Sequence, residues 1–324
     1  MIVDIHVGAG SAFEAAPEFA VLGDDLYFAA FDVENGNELR KFNTANESLT
    51  TYSLATGLRS SNPAANGGFH VVGQDLIFSA EDLLNGNELR RFNTQTETFA
   101  TIDITPGSAG SSPGEVGGYT TVGNTLYFTA TDADLGREPH VLDLSTNSII
   151  AVVDVNVGPE GSDSGEFGGF VELDGNLFFN GIDAEFGNEL HILNTSFNQV
   201  TDTVNFFNGA RSSNPGMDSG FAIIGTRIYF AAEDTNFGRE LRSIDVTDGQ
   251  ITTHSLENTS ASIPGLYGSL LAVDNRLIYT GFDSTSGFEL RLLDTTTGLT
   301  TTACLLYTSP SPRDATLSRM PSSA

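Results

Sequence analysis

The chain has 324 residues, with 42 Asp/Glu against 14 Lys/Arg and a formal net charge of −28. Charge of this sign repels phosphate backbones and excludes nucleic acid as a partner. No stretch reaches the ~18 apolar residues of a membrane helix, which excludes membrane insertion by a helix, and the single Cys excludes a disulfide framework or a cysteine-based metal cluster.

The first residues, Met1-Ile2-Val3-Asp4, have neither the basic nor the apolar region of a signal peptide. Ile2–Ile5 reads instead as the fourth strand of a repeat that has already begun, comparable to Thr101-Ile102-Asp103-Ile104. It either completes the last unit of the chain or belongs to a unit further upstream. The repeat itself then follows. The pattern [L/I]-[Y/I/F]-[F/Y]-x-[A/G]-x-D-x-x-x-G-x-E occurs six times, with its Asp at Asp32, Asp82, Asp132, Asp183, Asp234 and Asp283. The spacings of 50, 50, 51, 51 and 49 residues define units at roughly 6–55, 56–105, 106–155, 156–206, 207–256 and 257–303.

In the first unit, Phe19–Leu22 reads as strand A, Leu26–Phe31 as strand B, Glu38–Phe42 as strand C and Leu49–Leu54 as strand D. Gly23-Asp24 suits a two-residue hairpin turn between A and B, with Gly supplying the positive φ. Asn147, Asn198, Gly249 and Gly298 suit a left-handed position in the C–D turn. No segment sustains a 3.6-residue period, so helix is not expected. Four short strands repeated about every 50 residues predict an all-β, six-bladed β-propeller over residues 1–303. Strand B is apolar on both faces, as stacked blades require. Its Phe28, Phe78, Phe128, Phe179, Phe230 and Tyr279 are expected to pack with Phe19, Phe69, Tyr119, Phe170, Phe221 and Leu270, nine residues earlier.

Residues 304–324, CLLYTSPSPRDATLSRMPSSA, share nothing with the repeat. They resemble the translation of a transposase-type sequencing-library adapter and its primer. They read as a non-native, disordered tail, and the single Cys lies within it.

The units resemble the bacterial repeat family named for its E-L-W…D-G-T core. The resemblance rests on Asp103-Ile104-Thr105-Pro106-Gly107 leading to Ser111-Ser112-Pro113, on Leu126-Tyr127-Phe128-Thr129-Ala130, and on Gly238-Arg239-Glu240-Leu241. It covers residues 2–303. The family's Trp is replaced by Arg40, Arg90, His140, His191, Arg242 and Arg291, and its D-G-T shrinks to pairs such as Asn43-Thr44. The resemblance implies a propeller-like fold in secreted or cell-surface proteins, without an established catalytic activity.

Two repeated constellations carry charge. The six Asp are candidate calcium ligands, since carboxylate oxygens suit hard cations. One or two carboxylates per loop fall short of the 6–8 oxygens that calcium takes, and the competing reading is an Asx turn closed by the Gly four residues later. Each Glu two residues after that Gly shares a strand face with an Arg or His, as Glu38 does with Arg40. Recurrence in all six units favours inter-blade ion pairs over a ligand-gripping ring. Pro139 is expected to interrupt strand C of the third unit, which singles out Glu138 and His140.

The five His are scattered, with no H-E-x-x-H helix, and Gly161-Ser162-Asp163-Ser164-Gly165 lacks the strand-to-helix context of a nucleophile elbow. The long, variable D–A loops are the expected binding face, together with the B–C turns at the same end of each unit. Candidate contacts there are Arg59, Arg211, Glu138, His140 and His191. On this reading the chain is a non-enzymatic, extracellular or cell-surface module for binding or adhesion, needing no cofactor, with a glycan or protein ligand at that face. The alternatives are a propeller enzyme acting on polysaccharide, as lyase or hydrolase, and a structural spacer stabilised by calcium. The acidic composition fits a saline habitat, in which a dense anionic surface stays hydrated.

Overall fold

The computed structural model describes residues 5–6, 10–13, 17–55, 59–207, 209–256 and 261–303. The tail at 304–324 and most of Ile2–Ile5 lie outside the described residues. The described residues form 24 strands and no helix, arranged as six four-stranded antiparallel sheets, each a simple meander A-B-C-D. Sheet 1 consists of Phe19–Leu22, Asp25–Asp32, Gly36–Asn43 and Ser48–Tyr52. Sheets 2 to 6 have their B and C strands at Asp75–Asp82 and Gly86–Asn93, Thr125–Asp132 and Gly136–Asp143, Asn176–Asp183 and Gly187–Asn194, Arg227–Asp234 and Gly238–Asp245, and Arg276–Asp283 and Gly287–Asp294.

Two turn positions explain the tight connections. Gly23 takes φ 61° in the first A–B hairpin, as a turn of type II′ requires. The left-handed position of the C–D turn recurs six times, and it holds not only Asn147, Asn198, Gly249 and Gly298 but also Glu47 at φ 58° and Glu97 at φ 54°. The loop geometry imposes this conformation even where the side chain resists it.

The core lies between sheets. Strand B alternates its side chains, so Leu76 and Phe78 face sheet 1, where they pack with Tyr27 and Leu39, while Ile77 faces sheet 3 and packs with Leu126 and Phe128. The same exchange recurs between sheets 3 and 4, 4 and 5, and 5 and 6. The expected aromatic pairs are present: Phe19–Phe28, Phe69–Phe78, Tyr119–Phe128, Phe170–Phe179 and Phe221–Phe230 have ring centroids 5.0–6.1 Å apart. Leu270 joins Tyr279 in the last cluster.

Pro139 does not interrupt its strand. Gly136–Asp143 runs unbroken, with Pro139 opposite Thr129 and its carbonyl accepting from Val153 N–H at 2.8 Å. Strand C needs no N–H at that residue, so the ring is accommodated.

Candidate functional site

The turn between strands B and C is built by its aspartate. In every unit Asp Oδ1 accepts the backbone N–H groups two and three residues on, at 2.6–3.0 Å. The following Gly (Gly36 to Gly287) takes φ 70–81°. These are Asx turns. Among the described residues, no group of three or more His, Cys, Asp or Glu comes together as a metal site.

The second carboxylate oxygen is used by strand C. In sheets 1, 2, 5 and 6 an arginine lies flat within its own sheet, 1–4 % exposed. Arg40 donates from Nε to the Ala30 carbonyl (3.3 Å), from Nη1 to Thr51 Oγ1, and from Nη2 to Asp32 Oδ2 (2.6 Å). Arg90, Arg242 and Arg291 repeat all three contacts with Ala80, Thr101 and Asp82, with Ala232, Thr253 and Asp234, and with Gly281, Thr302 and Asp283. Burial alone would raise the Asp32 carboxyl. Hydrogen bonds from Asn35 and Arg40 outweigh it and bring the group down to about 2. Asp82 and Asp234 are depressed by the same balance. Asp283 is depressed chiefly by Ser286.

The glutamate on the same strand does not pair with this arginine, which corrects the expected inter-blade ion pair. The arginine is already held by the aspartate of its own turn, and the glutamate turns to the D–A loop instead. Ser61 Oγ donates to Glu38 (2.5 Å), Ser111 to Glu88 (2.6 Å), Ser162 to Glu138 (2.7 Å), and Ser213 and Ser262 to Glu189 and Glu240. The carbonyl of the same serine accepts the strand-B N–H of the next sheet: Glu81, Thr131, Ile182, Glu233 and Phe282, at 2.7–2.9 Å. Each serine therefore clasps two successive sheets. All five glutamates are fully buried. Burial raises Glu38 and Glu88, and pushes Glu138, Glu189 and Glu240 up to about 7, against the opposing hydrogen bonds. Glu138 thus behaves as its counterparts do. Glu289 is exposed.

Sheets 3 and 4 depart from the arginine pattern. Both carry a bulge between strands C and D, which adds one residue to the span. Both replace the arginine with a buried histidine, His140 at 1 % and His191 at 2 % exposure. His191 Nε2 donates to the Gly181 carbonyl (3.0 Å), and Nδ1 meets Thr203 Oγ1 (3.0 Å). Asp183 Oδ2 is 3.7 Å from Nε2. His140 donates from Nδ1 to the Glu138 carbonyl (2.9 Å), faces Val152 where other units have Thr, and has no partner at Nε2. Burial lowers both imidazoles, against the pull of the carbonyl each ring meets, and so favours their neutral form.

Beside His191 the surface opens into a groove of ≈ 790 Å³ between sheets 3 and 4. Asp154, Asp183, Glu185, His191 and Thr203, with Asn198 and Gln199, contribute its polar lining, and Phe186 and Phe197 its aromatic lining. Asp154 Oδ1 is buried there without a hydrogen-bond partner. This is the place where titratable groups, broken repeat symmetry and open space coincide.

Of the candidates named from sequence, only His191 and Asp183 reach this groove. Glu138 and His140 are buried inside sheet 3. Arg59 is exposed in a separate polar cleft with Asn62, Asp82 and Glu115, and Arg211 lies over the Phe207 ring at 4.2 Å. Asp32, Asp82, Asp132, Asp234 and Asp283 build their own turns, far apart in sequence and one per sheet. The clasping serines escaped the sequence reading, although each follows its glutamate by 22–24 residues.

The sequence matches no protein-family model and no curated protein. Among solved structures, the chain is similar to puromycin hydrolase (13 % identity, 90 % of this chain and 54 % of that one, TM-score 0.45). It is similar to a prolyl endopeptidase (13 %, 89 % and 40 %, 0.48) and to an oligogalacturonate lyase in complex with manganese (11 %, 86 % and 73 %, 0.49). The chain spans about half the length of puromycin hydrolase. These proteins are enzymes, and on that finding the expectation of a non-enzymatic module for binding or adhesion is withdrawn. At 11–13 % identity the likeness itself extends to the fold alone.

No helix among the described residues is long and apolar enough to cross a membrane.

Proposed function

We propose that the six sheets are the blades of a β-propeller belonging to an enzyme that acts on polysaccharide, as a hydrolase or lyase, with its substrate in the groove between sheets 3 and 4. The observation that carries this reading is the gathering of Asp154, Asp183, Glu185 and His191 along one groove. Cleavage of a glycosidic link needs a proton donor and a proton acceptor on either side of the bond, and Asp154, Asp183 and Glu185 are the carboxylates available along the groove. Phe186 and Phe197 add flat apolar faces for sugar rings. Asp183 keeps its Oδ1 in the Asx turn like its counterparts, while its Oδ2 accepts no hydrogen bond among the described residues. The resemblance to the E-L-W…D-G-T repeats supports an extracellular or surface location.

A panel of neutral and acidic polysaccharides, assayed for new reducing ends and for unsaturated products, tests the proposal. Turnover that disappears in Asp183→Asn at unchanged melting temperature supports it. Absence of turnover on every polysaccharide overturns it.

A further inference from the structure

Four of the six units show what the strand-C pocket is shaped to hold. A guanidinium there meets three fixed acceptors: a strand-B carbonyl, a strand-D threonine hydroxyl and Asp Oδ2. In sheet 4 the shorter imidazole of His191 donates to the strand-B carbonyl, accepts from the strand-D threonine hydroxyl and falls short of the aspartate. Asp183 Oδ1 is saturated by the N–H groups of Glu185 and Phe186, at 2.8 and 2.7 Å. Its Oδ2 accepts no hydrogen bond among the described residues, and Asp183, His191 and Thr203 all line the open groove. Asp154 also lines the groove, with its Oδ1 buried and without a hydrogen-bond partner.

We propose that this groove binds a guanidinium group from outside the chain, the side chain of an arginine in a peptide or protein segment, on Asp183 Oδ2. The chemistry fits on three counts. Asp183 keeps the carboxylate geometry that grips guanidinium in the sister sheets. A guanidinium brings N–H donors in a planar fork to the Asp183 Oδ2 that lacks one, and such charge-assisted bonds are the strong ones. Phe186 and Phe197 also line the groove, and guanidinium groups associate favourably with aromatic rings. The groove and Asp183 are those of the enzymatic reading, so an arginine segment would occupy the place given there to polysaccharide; binding measured without turnover keeps the two tests distinct.

Binding of an acetyl-arginine-amide and of an arginine-containing tetrapeptide, measured by calorimetry on the full chain with no turnover readout, tests the inference. A lysine analogue serves as comparison. Saturable binding of both arginine ligands, stronger than of the lysine analogue, is expected. Two variants should each weaken it by at least about tenfold: Asp183→Asn, which removes the acceptor, and His191→Arg, which installs the chain's own guanidinium as in sheets 1, 2, 5 and 6. Melting curves report whether each variant folds, and either folded variant decides. If the wild type shows no binding, or a folded variant binds as tightly as the wild type, the inference is overturned. Tetrapeptide binding without binding of the single residue also contradicts it, because the contact would then lie outside the guanidinium pocket.

Discussion

His140 and His191 hold the same position in neighbouring sheets and carry their protons on opposite ring nitrogens. A carbonyl only accepts, so the proton of His140 sits on Nδ1, facing Glu138 O, and that of His191 on Nε2, facing Gly181 O. Each ring stacks on the phenylalanine of strand B, Phe128 or Phe179, with centroids 5.8 and 5.7 Å apart. The difference follows from strand D: Thr203 offers His191 a hydroxyl, whereas Val152 offers His140 none.

This difference predicts unequal responses to one substitution. His140→Phe keeps the stacking, removes a buried, unpaired acceptor and breaks one hydrogen bond, to the Glu138 carbonyl. His191→Phe breaks two hydrogen bonds and leaves the Thr203 hydroxyl without its partner, so it should be the costlier of the two, at about 1–3 kcal/mol. Urea denaturation of the two variants measures both.

Ser111→Ala tests the clasp. It removes the hydroxyl from fully buried Glu88 but leaves the carbonyl contact to Thr131. The expected loss is about 1–3 kcal/mol, and Glu88→Gln, which keeps an acceptor oxygen, should cost less. Equilibrium unfolding of the two variants provides the comparison.

Burial raises the clasping glutamates above their ordinary value of 4.5, with Glu138, Glu189 and Glu240 reaching about 7. An acid raised in the folded state favours folding in its protonated form. That contribution is complete below the unfolded value and fades as pH rises through the folded one. The melting temperature should therefore fall between about pH 5 and pH 8. Asp32 works in the opposite sense, stabilising above its ordinary 3.8 and losing that effect toward about 2. A triple Glu→Gln variant at 138, 189 and 240 should flatten the fall. An equally steep profile in that variant would refute the assignment.

The residue after each clasping serine is left-handed: Asn62, Ser112, Asp163 and Asn214 at φ 46–48°, and Ile263 at φ 44°. A β-branched side chain is the poorest choice for this backbone. Ile263→Asn should stabilise the chain by about 1 kcal/mol, read as a rise in melting temperature.

The sheets were legible because strand B writes its two-faced burial directly as Leu-Tyr-Phe, and because Asp and Gly four residues apart mark the next turn. The role of the glutamates was not, because sequence adjacency on strand C put Glu38 beside Arg40, while the true partner, Ser61, lies 23 residues on across a loop. Burial decided between them: a charge with no water near it takes the closest donors, here a hydroxyl and backbone N–H groups. The replacement of Arg by His was visible at His140 and His191. Which of the two opens to a groove depended on the strand-D neighbour and the packing of sheet 3 on sheet 4, and neither is written in the motif.

The central claim is that function sits where the repeat departs from its own arginine, between sheets 3 and 4. Hydrogen–deuterium exchange on the chain with and without a polysaccharide it turns over tests this most directly. The account predicts protection over 151–157, 183–191 and 197–203, the segments that line the groove. Protection centred on the Arg59 cleft, with none at those segments, would contradict it.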